Sequence, residues 1–72
     1  MNYQRLREIY SKILNGESTK EERLELLDNH NSLGGMSIEW FLSNLNGSMK
    51  EPIDEEVSQY TKTIESIIIN DL

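Results

Sequence analysis

Apolar side chains recur at helical spacing along most of the chain, and the breaks in that spacing divide it into four segments. Tyr3, Leu6, Ile9, Tyr10, Ile13 and Leu14 follow the i, i+3, i+4, i+7 pattern of a one-faced helix. Asn15 and Gly16 end it, because glycine takes the left-handed conformation of a helix C-terminus. A helix is predicted over 2–15. Ser18 and Thr19 each stand three residues before a glutamate, Glu21 or Glu22, so both fit a capping box. A second helix is predicted from there over 19–31, with apolar content from Leu24, Leu26 and Leu27. Leu33, Gly34 and Gly35 break the chain again.

The third segment, Ser37 to Leu45, holds the only Trp and the only Phe of the protein. With Ser37 as N-cap and Asn46-Gly47 as stop, it reads as a helix over 37–46. Ile38, Phe41, Leu42 and Leu45 share one face, while Trp40 points away beside Glu39, Ser43 and Asn44. A helix this short needs tertiary contacts to persist. After a linker over 48–51, Pro52 to Glu56 open a fourth helix over 53–70, with proline in the first turn and three acids facing the positive end of the dipole. Ile53, Val57, Tyr60, Ile64, Ile67 and Ile68 form its stripe; Ile69 lies outside it and Leu72 at its edge.

Alternation of strand length is missing, so the expected fold is all-α: a small bundle of four helices forming one domain over 1–72. Helices 1 and 4 are expected to supply most of the core, with helix 3 plugging it. The expected core is Leu6, Ile9, Tyr10, Ile13, Leu24, Leu27, Ile38, Phe41, Leu42, Leu45, Val57, Tyr60, Ile64, Ile67 and Ile68. A 72-residue chain buries only about 60% of its unfolded surface. It usually needs a staple or a second copy. Without cysteine the staple is no disulfide, and one histidine makes no zinc site, so a reducing, cytoplasmic setting is expected.

The net charge of −6 argues against nucleic-acid and anionic-membrane binding. It is unevenly spread: residues 1–15 carry +2 and residues 16–72 carry −8. No apolar run reaches membrane-spanning length, and with a polar start from Asn2 no signal peptide is expected. Glu8 and Lys12 are expected to pair along helix 1. Glu21, Glu25 and Asp28 form an acidic stripe on helix 2, read as a solvated face or, with Asp54, Glu55 and Glu56, as an imitation of DNA phosphates. Helices 2 and 3 loosely fit a helix-turn-helix, but helix 3 offers Glu39, Ser43 and Asn44 and no basic side chain for bases or phosphates. His30 reads either as a general base or pH switch or, with more weight, as a helix-end histidine favoured by the dipole. Trp40 reads either as an interface anchor or as the buried second side of helix 3.

The run Ile13-Leu14-Asn15-Gly16-Glu17 followed by Ser18-Thr19-Lys20-Glu21-Glu22-Arg23 is similar to the start of the small helical domain of anthranilate phosphoribosyltransferases and to the N-terminus of some anti-sigma regulators. The resemblance covers residues 13–23. The phosphoribosyltransferases' glycine-rich substrate loops have no counterpart here, so it implies no catalytic residue.

The residues thus offer no catalytic set, no cofactor site and no metal set. They point to a non-enzymatic protein-binding module, a small acidic regulator or inhibitor that docks on a larger cytosolic protein. Low alanine with many isoleucines, asparagines, lysines and glutamates fits an AT-rich genome and a phage or mobile-element source. The candidate binding residues are Trp40, Asn44, Ile69, Leu72, Glu21, Glu25 and Asp28. A homodimer through the end of helix 4, with Trp40 as a second participant, is also expected, because burying Ile69 or Leu72 gains about 1.5–3 kcal/mol each.

Overall fold

The structure is a computed structural model describing residues 2–47 and 50–72. Its regular structure is helical throughout those residues: α1 (Tyr3–Leu14), α2 (Lys20–Asn31), α3 (Ile38–Leu45) and α4 (Asp54–Asp71). Once the caps are counted, the sequence-based bounds hold to within one residue except at the end of α4, whose cap Leu72 lies two residues past the expected 70. Ser48 and Met49, the first half of the predicted linker, lie outside the described residues.

Each start has a local chemical cause. The Asn2 side chain accepts from the Arg5 amide at 3.1 Å, and the Ser37 hydroxyl accepts from the Trp40 amide at 3.1 Å. Of the two possible capping boxes before α2, Thr19 forms the real one. Its hydroxyl accepts from the Glu22 amide at 3.2 Å, and the Glu22 carboxylate accepts from the Thr19 amide at 2.9 Å. Pro52 falls one residue before the cap of α4, not in its first turn as expected. There Glu56 turns back to accept from the Ile53 amide at 3.1 Å. α1 ends in a Schellman motif: the Glu17 amide reaches the Lys12 carbonyl at 2.8 Å and the Gly16 amide the Ile13 carbonyl at 3.1 Å, with Gly16 at φ 73°. The likeness of residues 13–23 to other proteins is therefore a helix stop followed by a helix start.

α1 packs on α2 and α3, and α4 packs on the same two helices, leaving α1 and α4 across a diagonal. Arg23 near the start of α2 meets Asp71 at the end of α4, and His30 near the end of α2 meets Tyr60, so these two helices run antiparallel. The buried core is Leu6, Ile9, Tyr10, Leu26, Leu27, Phe41, Leu42, Leu45, Tyr60, Ile64 and Ile67. Six of these eleven come from α1 and α4, so the expected dominance of those helices is slight. α3, the shortest helix, supplies as many as either of them. Tyr60 lies at the centre, with ring centroids 5.9 Å from Phe41, 5.7 Å from Tyr10 and 5.5 Å from His30.

The structure corrects the expected core at two places. Leu26 is fully buried and Leu24 only packs against the core. Ile68 is 46% exposed, because α4 turns Tyr60, Ile64 and Ile67 inward and leaves Ile68 on the flank. Ile13, Ile38 and Val57 are half-buried against the core.

Candidate docking surface

The basic side chains of α1 do not lie together on a solvated face. Lys12 reaches across to Glu22 at 3.0 Å, replacing the expected pair with Glu8, and Arg5 reaches Glu25 at 3.2 Å. Arg7 turns to the other neighbour. Its guanidinium donates to the Leu45 carbonyl at 2.8 Å and to the Asn44 carbonyl at 3.4 Å, placing a cation at the negative end of α3. Gly47 makes room for it: at φ 70°, a Cβ there would lie 2.9 Å from an Arg7 nitrogen. These contacts hold the C-terminal end of α3 on α1.

The N-terminal end of α3 is held by aromatic rings. Tyr3 packs edge-on to Trp40 at 6.3 Å and 70°, and tilts onto Phe41 at 6.1 Å. Phe41 is fully buried, whereas Trp40 remains 51% exposed. The second side of α3 is therefore not covered by another helix. The Asn44 amide donates to the Trp40 carbonyl at 2.9 Å, so Asn44 is engaged with its own helix and half-buried. Residues 50–52 lie along this face. The Ser43 hydroxyl donates to the Lys50 carbonyl, and Ser37, Glu39, Trp40, Ser43, Glu51 and Pro52 together line a groove of about 280 Å³.

The remaining candidates lie elsewhere. Ile69 and Leu72 are 77% and 79% exposed at the end of α4. They flank Asp71, which takes two bonds from Arg23, at 2.7 and 3.1 Å. Arg23 also donates to the Ser18 carbonyl at 2.9 Å. Beside Arg23, Glu22 pairs with Lys12 near the end of α1, while Trp40 sits at Tyr3, the start of α1. The structure thus does not bring Trp40 and the α4 tip together. In the acidic stripe of α2, Glu21 and Asp28 are exposed, but Glu25 is bonded to Arg5, so the stripe loses its middle member.

His30 departs from the sequence-based reading. Its Nδ1 is 2.8 Å from the buried Tyr60 hydroxyl, and burial lowers its pKa, the opposite of what a helix dipole alone does. Burial likewise raises the Tyr60 and Tyr10 phenols. The Thr19 amide and Lys12 hold the Glu22 carboxyl below its ordinary value, and Arg23 does the same for Asp71.

Among the described residues, no three His, Asp or Glu side chains converge to hold a metal ion, and no helix is long and apolar enough to cross a membrane. No protein-family model matches the chain, and no curated protein or solved structure is significantly similar to it. Sequence reasoning singled out Trp40 and Asn44 but missed Tyr3, Glu51 and Pro52 as their neighbours. The misfit of Trp40 with its helix face was the available signal. The position of residues 50–52 along α3 left none.

Proposed function

We propose that the protein is a non-enzymatic binding module, a cytosolic regulator or inhibitor that docks on a larger protein through the outward face of α3. One observation carries this reading: Trp40 holds half of its surface in water while Tyr3 packs against its ring and the Ser37 hydroxyl accepts from its amide. A large side chain already ordered loses little entropy on binding, and Trp is the residue most enriched where interfaces concentrate their energy. The test is a pull-down from source-cell lysate with wild-type and Trp40→Ala baits, both shown to be folded by circular dichroism. A partner retained by the wild type and lost by Trp40→Ala is expected. Equal recovery by both baits rejects this face.

A second reading, self-association through the end of α4, is favoured by the exposure of Ile69 and Leu72. Sedimentation equilibrium at micromolar concentration tests it: a dimer mass that falls to monomer for Ile69→Glu is expected, and a monomer mass in the wild type rejects it.

A further inference from the structure

The groove beside Trp40 combines features that select for one kind of side chain. One wall is the exposed indole of Trp40, braced from behind by Tyr3. Another is the Pro52 ring, and the rim carries the exposed carboxylates of Glu39 and Glu51. The two hydroxyls in the lining each hold one bond: Ser37 accepts from the Trp40 amide, and Ser43 donates to the Lys50 carbonyl. The charged and aromatic lining of the groove is one indole face beside two carboxylates. A volume of about 280 Å³ suits one long side chain and not a helix.

An aromatic face attracts cations through its quadrupole, and Trp does so most strongly. A guanidinium also stacks flat on the ring, is more weakly hydrated than an ammonium, and can bond a carboxylate with two N–H groups at once. The net charge of −6 favours a basic partner overall, even though residues 1–15, whose Tyr3 packs on Trp40, carry +2. We propose that this groove takes an arginine side chain from a basic segment of the partner protein, the guanidinium lying over Trp40 between Glu39 and Glu51. The proposal rests on the reading of α3 as the docking face and specifies what that face recognises.

Trp40 is the only tryptophan, so its emission reports on this site alone. The experiment is a fluorescence titration of the full chain with a short arginine-rich synthetic peptide, and with the same peptide carrying citrulline, the uncharged isostere, at every arginine. A saturable change with the arginine peptide is expected, weakened by salt and lost with citrulline. Glu39→Gln and Glu51→Gln are each expected to weaken it about two- to fivefold, the range of an exposed ion pair. Calorimetric titration of Trp40→Leu, which removes the ring but keeps an apolar side chain, is expected to show at least as large a loss. Equal binding of the citrulline peptide, or an emission that neither peptide moves, overturns the proposal. If the arginine peptide fails while Trp40→Ala still loses the partner in the pull-down, the docking face stands and only its arginine specificity falls.

Discussion

α2 and α3 reach the same core by different routes. α3 turns Phe41, Leu42 and Leu45 inward from eight residues and makes few polar bonds to its neighbours beyond those received from Arg7. α2 is half as long again and inserts only Leu26 and Leu27. Apart from Leu24, which packs at the edge of the core, α2 meets its neighbours through polar groups: Glu22 reaches Lys12, Arg23 reaches Asp71, Glu25 reaches Arg5 and His30 reaches Tyr60. Burial is non-directional and grows with apolar area, so α3 is held firmly but its neighbours only need the right shape. Polar bonds require partners at fixed positions. α2 therefore adds less apolar burial but fixes how α1 and α4 lie against it.

This difference predicts an ordering of effects. Phe41→Ala is expected to cost about 3–5 kcal/mol, a large share of the roughly 5–15 kcal/mol that holds a small domain together. Urea denaturation followed by circular dichroism measures it. The same experiment on Leu26→Ala probes the contrast directly, because a cost as large as that of Phe41→Ala means α2 depends on its leucines after all. Tyr60→Phe is next. It removes the partner of His30 without removing the ring, and it is expected to cost about 1 kcal/mol.

The pH profile sharpens the same point. His30 has a folded pKa below its ordinary 6.5, so the unfolded chain binds the proton more readily. The stability tied to neutral His30 is complete above 6.5. It is lost as the pH falls through that value toward the lower folded one. Thermal melts across this window are expected to show a falling Tm in the wild type and a flatter profile in His30→Gln. Glu22 and Asp71, whose folded values are depressed, lose their contribution in a separate and more acidic window. The smallest effect is expected for Arg23→Lys, which keeps the charge but not both bonds to Asp71. Its Tm should fall slightly, and a Tm equal to the wild type would show that the paired geometry adds nothing.

The same contrast explains what could be read from the sequence. α1, α3 and α4 announce themselves because their inward residues are apolar and periodic, and their caps, Asn2, Ser37 and the acids after Ile53, are local signals. α2 was located by Thr19 and Glu22, but its orientation was not. Leucines at 24, 26 and 27 do not choose a face when Glu22, Arg23 and His30 occupy the inward side. Their partners lie 10, 48 and 30 residues away. The sequence alone pairs Lys12 with Glu8 for the same reason, since only the fold brings Glu22 close. At the docking face, Trp40 stood out because it violates the pattern of its own helix. Glu51 and Pro52 carry no such mark, and only the fold brings them to the groove.

The clasp between Arg7 and the last carbonyls of α3 has a further consequence. A helix of eight residues has no stability of its own, and its C-terminal bonds exist only while α1 is in place. Release of α1 should therefore release α3 as well, and the α3 amides should exchange with solvent no more slowly than those of α1. A partner seated on Trp40 would then protect every helix, α2 included, by mass action on the folded state. Conversely, a substitution far from the groove that loosens the bundle would register as weakened binding without touching a single contact residue.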